Sequence, residues 1–109
     1  MSYVVLVVED EPLVLDMAVS MFEDLGCTVL AANCGASALE IIQVNGREIA
    51  LLFTDIQMPG MDGRELAWRA REELPGLKVV FTSGALRGAP GEHLISKPYQ
   101  SEDLARLIA

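Results

Sequence analysis

The sequence of 109 residues has little of the chemistry that identifies many protein classes. It has one histidine and two cysteines, and the spacing of Cys27 and Cys34 fits neither a zinc site nor a redox pair. No run of ~18 apolar residues is present, so no transmembrane helix is predicted. Only eight residues are Lys or Arg, against sixteen Asp or Glu. Because the basic residues are scattered, the charge pattern argues against direct binding of nucleic acid.

The residues that are present suit one compact domain, residues 1–109. Apolar residues make up 51% of the chain, which is enough for a full core. The first apolar segment, YVVLVV, begins at residue 3 without a basic region before it. No signal peptide is therefore predicted, and we expect a cytoplasmic protein.

Strand and helix signals alternate along the chain. Apolar runs predict strands over residues 3–8, 27–32, 49–54, 78–83 and 93–96. Amphipathic spacing and capping residues predict helices over 12–25, 35–44 and 63–74, and a last helix with Ser101 as its N-cap. Such alternation is typical of a parallel sheet covered by helices on both faces. In open sheets of this kind, ligands bind at the carboxyl ends of the strands.

Polar side chains stand at the carboxyl ends of four predicted strands. They are Glu9 and Asp10 after the first strand, Asp55 after the third, Thr82 and Ser83 at the end of the fourth, and Lys97 after the fifth. Three carboxylates repel one another, and one ammonium group cannot neutralise them all. A divalent cation could, and Mg²⁺ favours oxygen ligands of the kind that Asp10 and Asp55 offer, with Glu9 in the outer shell.

Each of these features also has a purely structural explanation. Asp55 could cap a turn, the acidic pair could be a charge cluster at a helix start, and Ser83-Gly84 could be a turn. Their joint placement favours a phosphoryl-transfer site. In such a site the Asp55 carboxylate attacks phosphorus, while Mg²⁺, Ser83 and Lys97 bind the equatorial oxygens. The end of a buried strand would hold this nucleophile in place.

Four motifs in order, VVEDEP, LLFTDIQMPGMDG, VVFTSG and ISKPY, resemble those of the receiver domain of two-component response regulators. The resemblance covers essentially the whole chain. It implies a flavodoxin-like, doubly wound, five-stranded parallel sheet in the order 2-1-3-4-5. It also implies a role for each matching residue: Asp55 as phospho-acceptor, Asp10 as direct Mg²⁺ ligand, Glu9 in the outer shell, the backbone carbonyl of Gln57 as a further ligand, Ser83 as switch hydroxyl, Gly84 as the small residue that leaves the phosphoryl group room, and Lys97, before a cis Pro98, as phosphate contact.

The function implied by the resemblance is that of a signalling switch or relay. A histidine kinase or a histidine phosphotransfer protein would donate the phosphoryl group, and the domain would catalyse only its own Mg²⁺-dependent phosphorylation and dephosphorylation. The chain could be a stand-alone protein or part of a hybrid histidine kinase. A phosphatase of the haloacid-dehalogenase type would need a general acid where Gln57 stands. A pseudo-receiver, which docks partners without phosphorylation, usually lacks the acceptor, the metal ligand or the lysine, and all three are present.

Two departures from the family pattern affect the expected output. Only nine residues, 84–92, separate the fourth and fifth strands, too few for a helix of ~11 residues with its loops. We therefore expect the family's fourth helix to be missing or reduced to a loop, and the protein to be monomeric. Leu94 stands where relatives often have an aromatic residue. Trp68 lies about 145° from the inward stripe of its helix, as a solvent-grazing ring or as a partner contact.

Overall fold

The structure is a computed structural model, and it describes residues 3–85 and 87–109. Strands and helices alternate as predicted. The strands are β1 (Val4–Val8), β2 (Thr28–Ala32), β3 (Leu51–Asp55), β4 (Lys78–Ser83) and β5 (Leu94–Ser96), and the helices are α1 (Pro12–Asp24), α2 (Gly35–Asn45), α3 (Gly63–Glu73) and α4 (Ser101–Ile108). A 3₁₀ turn, Gly46–Glu48, follows α2. None of the described helices is long and apolar enough to cross a membrane.

The five strands form one parallel sheet in the order β2-β1-β3-β4-β5. This confirms the predicted fold class. The strand order reverses between β1 and β3, which are neighbours in the sheet, and this reversal opens a crevice at their carboxyl ends. Residues that follow β1 and end β3 are therefore brought to the same crevice.

Alternate side chains of each strand point to opposite faces, so the core has two layers. On one face, Leu6, Leu52 and Phe81 pack with buried residues of α2 and α3. On the other face, Val7 and Phe53 pack with buried residues of α1 and α4. Strands covered on both faces read as near-continuous apolar runs, which explains the segments YVVLVV and ALLF in the sequence.

No helix is present among the described residues of the connection from β4 to β5, residues 84–93, and we call this connection the helix-free span. In this span, residues 84–85 form a bend, 90–91 form a turn, and 87–89 and 92–93 have no regular secondary structure, whereas Leu86 lies outside the described residues. The Glu92 backbone N–H donates to the Ala89 carbonyl at 2.9 Å, and Gly91 takes a φ of +83°. A turn of this kind closes the span without a helix, as the residue count predicts.

One predicted cap is wrong by a residue. The N-cap of α4 is Gln100 and not Ser101. The Gln100 backbone N–H donates to the Asp103 carboxylate at 2.8 Å, and the Gln100 side chain accepts from the backbone of Asp103. This reciprocal pair satisfies two helix-terminal N–H groups.

Candidate functional site

Three acidic side chains meet in the crevice at the carboxyl ends of β1 and β3. Glu9 follows β1 and is only 3% exposed, Asp55 ends β3 and is 5% exposed, and Asp10 is partly exposed. Each offers a carboxylate oxygen, and these three oxygens lie within 4.8 Å of one another. Clustered carboxylate oxygens of this kind are the ligands that Mg²⁺ prefers. The donor set therefore fits the cation that the sequence predicts.

Lys97 closes the acidic cluster from the end of β5. Its Nζ lies 2.5 Å from Glu9 Oε1 and 3.4 Å from Asp55 Oδ2. Its backbone N–H donates to the Ser83 carbonyl at 2.9 Å, which ties the residue after β5 to the end of β4. The sheet thus brings together two groups, Glu9 and Lys97, that stand 88 residues apart in the chain.

The pKa values of Glu9 and Asp55 are set by two opposing effects, burial and pairing with Lys97. Burial raises the pKa of Asp55, and the Lys97 ammonium lowers it without cancelling the rise. Burial also raises the pKa of Glu9 against the hydrogen bond from Lys97. The pKa of Lys97 is lowered by burial, but its hydrogen bond to Glu9 and the charge of Asp55 outweigh this, and the net shift is upward. Lys97 therefore carries its charge across the physiological range.

Ser83 is buried at the end of β4, one residue beyond Thr82, the register partner of Asp55. Its hydroxyl oxygen accepts a hydrogen bond from the Ala85 backbone N–H at 3.1 Å. It also lies 3.5 Å from the side-chain oxygen of Gln57. The hydroxyl is therefore in contact with both the loop after β3 and the start of the helix-free span.

The backbone at Asp55 is held by a close contact that the sequence pattern did not reveal. A Cβ placed on Gly63 would lie 2.1 Å from the Asp55 carbonyl oxygen. The Gly63 backbone N–H donates to the Ile56 carbonyl at 2.9 Å, and Thr54 Oγ1 donates to the Asp55 carbonyl at 2.9 Å. Only a residue without a side chain can begin α3 this close to the strand end. In the sequence this glycine stands directly after Asp62, a residue of N-cap type, and the Asp62 side chain does accept from the Glu65 N–H at 2.9 Å.

An aromatic wall supports the site from the α1 side. Phe53 packs edge to face with Phe22 at 5.1 Å and with Tyr99 at 5.5 Å between ring centroids. Burial, with the charges of Glu9 and Asp55, raises the pKa of Tyr99 to about 12. The Lys97–Pro98 peptide bond before it is cis, as the resemblance implies.

Comparison with known sequences agrees with this geometry. A family model described as the response regulator receiver domain matches residues 5–109. The chain is 39% identical over 112 residues to the response regulator receiver protein CpdR of Brucella abortus, covering 95% of this chain and 92% of that protein. It is 34% identical over 115 residues to the sensor kinase CckA of the same organism, covering 98% of this chain but 12% of that protein.

Comparison with solved structures gives the same result. The receiver domain of the hybrid histidine kinase CckA is 36% identical, with a TM-score of 0.86 over 96% of this chain and 94% of that one. A receiver domain protein from Clostridium thermocellum has a TM-score of 0.88 at 25% identity, over 97% of this chain and 90% of that one.

Proposed function

Because this chain belongs to the response regulator receiver domain family of two-component systems, we propose that it is a signalling switch or relay that accepts a phosphoryl group on Asp55. The observation that carries the proposal is the site itself. The Asp55 carboxylate lies with Glu9 and Asp10 in one cluster, and Lys97 Nζ reaches two of the three. We further propose that residues 1–109 form one monomeric, cytoplasmic receiver domain.

The donor in this proposal is a phosphohistidine of a histidine kinase or a histidine phosphotransfer protein. Relatives named as a sensor kinase and as a response regulator receiver protein both match the chain, and either arrangement uses the same chemistry. An Asp55 carboxylate oxygen attacks phosphorus, the O–P bond forms and the N–P bond breaks. The leaving imidazole nitrogen takes a proton. Hydrolysis of the acyl phosphate later returns Asp55 and releases inorganic phosphate.

Each neighbouring residue has a distinct part in this step. The raised pKa of Asp55 makes its carboxylate more basic, and its place at the end of β3 fixes the direction of attack. Lys97 offers its ammonium to a phosphoryl oxygen from its position beside Asp55. Asp10 and Asp55, with the Gln57 carbonyl and with Glu9 in the outer shell, would hold Mg²⁺. When bound, Mg²⁺ supplies positive charge that offsets the charge of the phosphoryl oxygens.

In this proposal, Ser83 transmits the effect of phosphorylation from the site to the rest of the domain. We expect its hydroxyl to donate a hydrogen bond to the new phosphoryl oxygen, which requires a rotation or shift of the side chain. Because the Ala85 N–H donates to the same oxygen at 3.1 Å, this movement acts directly on the helix-free span after β4. The element that responds is therefore this span, a loop among its described residues. We expect phosphorylation to order or displace it.

Acetyl phosphate tests the proposal without a partner protein. Intact-mass spectrometry should show one added phosphoryl group when Mg²⁺ is present and none when it is chelated. Asp55→Asn should abolish the adduct, whereas Asp24→Asn, at an exposed carboxylate at the end of α1, should leave it unchanged. An adduct that forms without Mg²⁺ or survives Asp55→Asn would contradict the assignment. A wild-type protein that never reacts would favour the pseudo-receiver function instead.

A further inference from the structure

A groove lies between α3 and the helix-free span on the face of the sheet that α2 and α3 cover. Its volume is about 190 Å³. One wall is the stripe of α3 formed by Arg64, Ala67, Trp68 and Arg71, and the floor is Val79 and Phe81 of β4. The stripe has the spacing i, i+3, i+4, i+7, which places its members on one side of a helix. We call this site the α3 groove.

One end of the α3 groove already binds a carboxylate, which comes from the chain itself. Arg64 Nε and Nη2 donate to the two oxygens of Glu92 at 2.9 and 3.0 Å. Arg64 Nη2 also lies 3.4 Å from the Arg87 carbonyl, and the Ala89 N–H donates to Glu92 at 2.8 Å. This bidentate geometry is the strong mode of arginine–carboxylate recognition. It holds the span against α3 and forms the opposite wall of the groove.

The other end of the α3 groove has a cation without such a partner. Arg71 makes no ion pair with any residue of 3–85 or 87–109, and its Nε has only a long contact, 3.4 Å, to the Leu77 carbonyl. Between the two arginines, Trp68 is 66% exposed. By contrast, Arg69 pairs with Glu65 at 2.7 Å. Trp and Arg are residue types enriched at protein-binding hot spots, and here an arginine without a carboxylate partner among the described residues stands beside an exposed indole.

We propose that the α3 groove binds a helix of a partner protein that presents one carboxylate to Arg71 and one large apolar side chain to Trp68 and Phe81. The positive charge of Arg71 favours an acidic group of the partner. At the opposite end of the groove, Arg64 already binds such a group, the Glu92 carboxylate. A volume of about 190 Å³ has room for one large side chain.

A helix is the occupant that this part of the fold lacks. Parallel sheets are covered by helices on both faces, and here the connection from β4 to β5 supplies none among its described residues. Helices pack with their axes 8–10 Å apart, and the exposed residues of the stripe that a second helix would meet are Trp68 and Arg71. The groove described here is that of the unphosphorylated protein.

A designed peptide tests the proposal. The probe is a fluorescein-labelled helix of about 16 residues with one Phe and a Glu four residues after it, and binding is followed by fluorescence anisotropy. We expect saturable binding that Arg71→Ala weakens about tenfold and Trp68→Ala about thirtyfold. Arg69→Ala, on the same helix but outside the groove, should change the affinity by less than about twofold. Replacing the probe's Glu with Gln should remove the effect of Arg71→Ala.

Three results would overturn the proposal. No binding of the probe, or equal losses from Arg71→Ala and Arg69→Ala, would show that the groove does not recognise the acidic helix. A probe with a central proline that binds as tightly would show that the occupant is not a helix. A wild-type protein that self-associates in sedimentation, with Arg71→Ala restoring the monomer, would assign the groove to a second copy of this chain. Circular dichroism of each variant checks its fold, since the substituted side chains are exposed.

Discussion

Gly63→Ala is the substitution for which the structure predicts the largest effect of a single methyl group. The new Cβ would lie 2.1 Å from the Asp55 carbonyl oxygen and 3.0 Å from Ile56 Cα. Both are backbone atoms, so no flexible side chain can move away. Relief requires α3 to separate from the end of β3 by about 1 Å, which also stretches the 2.9 Å hydrogen bond from Gly63 to Ile56. Asp55, the proposed phospho-acceptor, would move with its strand end.

The expected loss is worked from three contributions. Overpacking costs about 1–3 kcal/mol, and the weakened hydrogen bond costs about 1 kcal/mol. Alanine is intrinsically better than glycine in a helix by up to about 1 kcal/mol. The net destabilisation of Gly63→Ala is therefore about 1–4 kcal/mol. For a domain of this size, each kcal/mol lowers the melting temperature by roughly 4–8 °C.

Thermal and urea unfolding, followed by circular dichroism, measure this loss. Gly76→Ala is the matched control, because a Cβ at Gly76 meets no described atom within 4 Å. Phosphorylation of folded Gly63→Ala by acetyl phosphate should also be slower than that of Gly76→Ala, since only the former displaces Asp55. If the two variants differ in stability by less than about 0.5 kcal/mol, the contact does not hold the site in the way described.

The remaining predictions concern the metal, the loop clamp and the span. Asp10→Ala should weaken Mg²⁺ binding about a hundredfold and Glu9→Gln only about tenfold in calorimetric titration; equal losses would show that the two are ranked wrongly. The hydrogen bond from Arg64 lowers the pKa of Glu92, so the pair stabilises the fold above the unfolded-state pKa of about 4.3 and this contribution disappears as pH falls through the lower, folded value. Glu92→Gln should therefore destabilise the protein at neutral pH, and progressively less as the pH falls below about 4.3; a loss independent of pH would contradict the ion pair. Amide exchange across 87–92 should be fast without a phosphoryl mimic and change with one; slow exchange in both states would point to a stable helix.

The strands and the site were predictable because they depend on local pattern and on one rule of topology. A buried strand is a short apolar run, and the carboxyl ends of neighbouring parallel strands meet at one edge. Glu9, Asp55 and Lys97 could therefore be placed together before any distance was known. The lack of a helix among the described residues between β4 and β5 was predictable for an equally simple reason, since nine residues between Ser83 and His93 leave no room for one.

The features that escaped prediction depend on contacts between distant or competing residues. Arg64 and Glu92 stand 28 residues apart, and the alternating charges of α3 indicate only a solvated face. Gly63 is compatible with any helix start until the position of the Asp55 carbonyl is known. Ser101 is the stronger N-cap by type, but Asp103 three residues after Gln100 completes a capping box that favours Gln100 as the cap.

Mapping the phosphorylated residue tests the central claim most directly. After treatment with acetyl phosphate and Mg²⁺, borohydride reduction converts an aspartyl phosphate to homoserine, and trypsin releases residues 48–64 as one peptide. Tandem mass spectrometry distinguishes Asp55 from Asp62 in this peptide. Our account predicts homoserine at position 55 alone, in a yield that depends on Mg²⁺. Homoserine at Asp62 or at Asp10, or none at position 55 in protein that has gained a phosphoryl group, would contradict it.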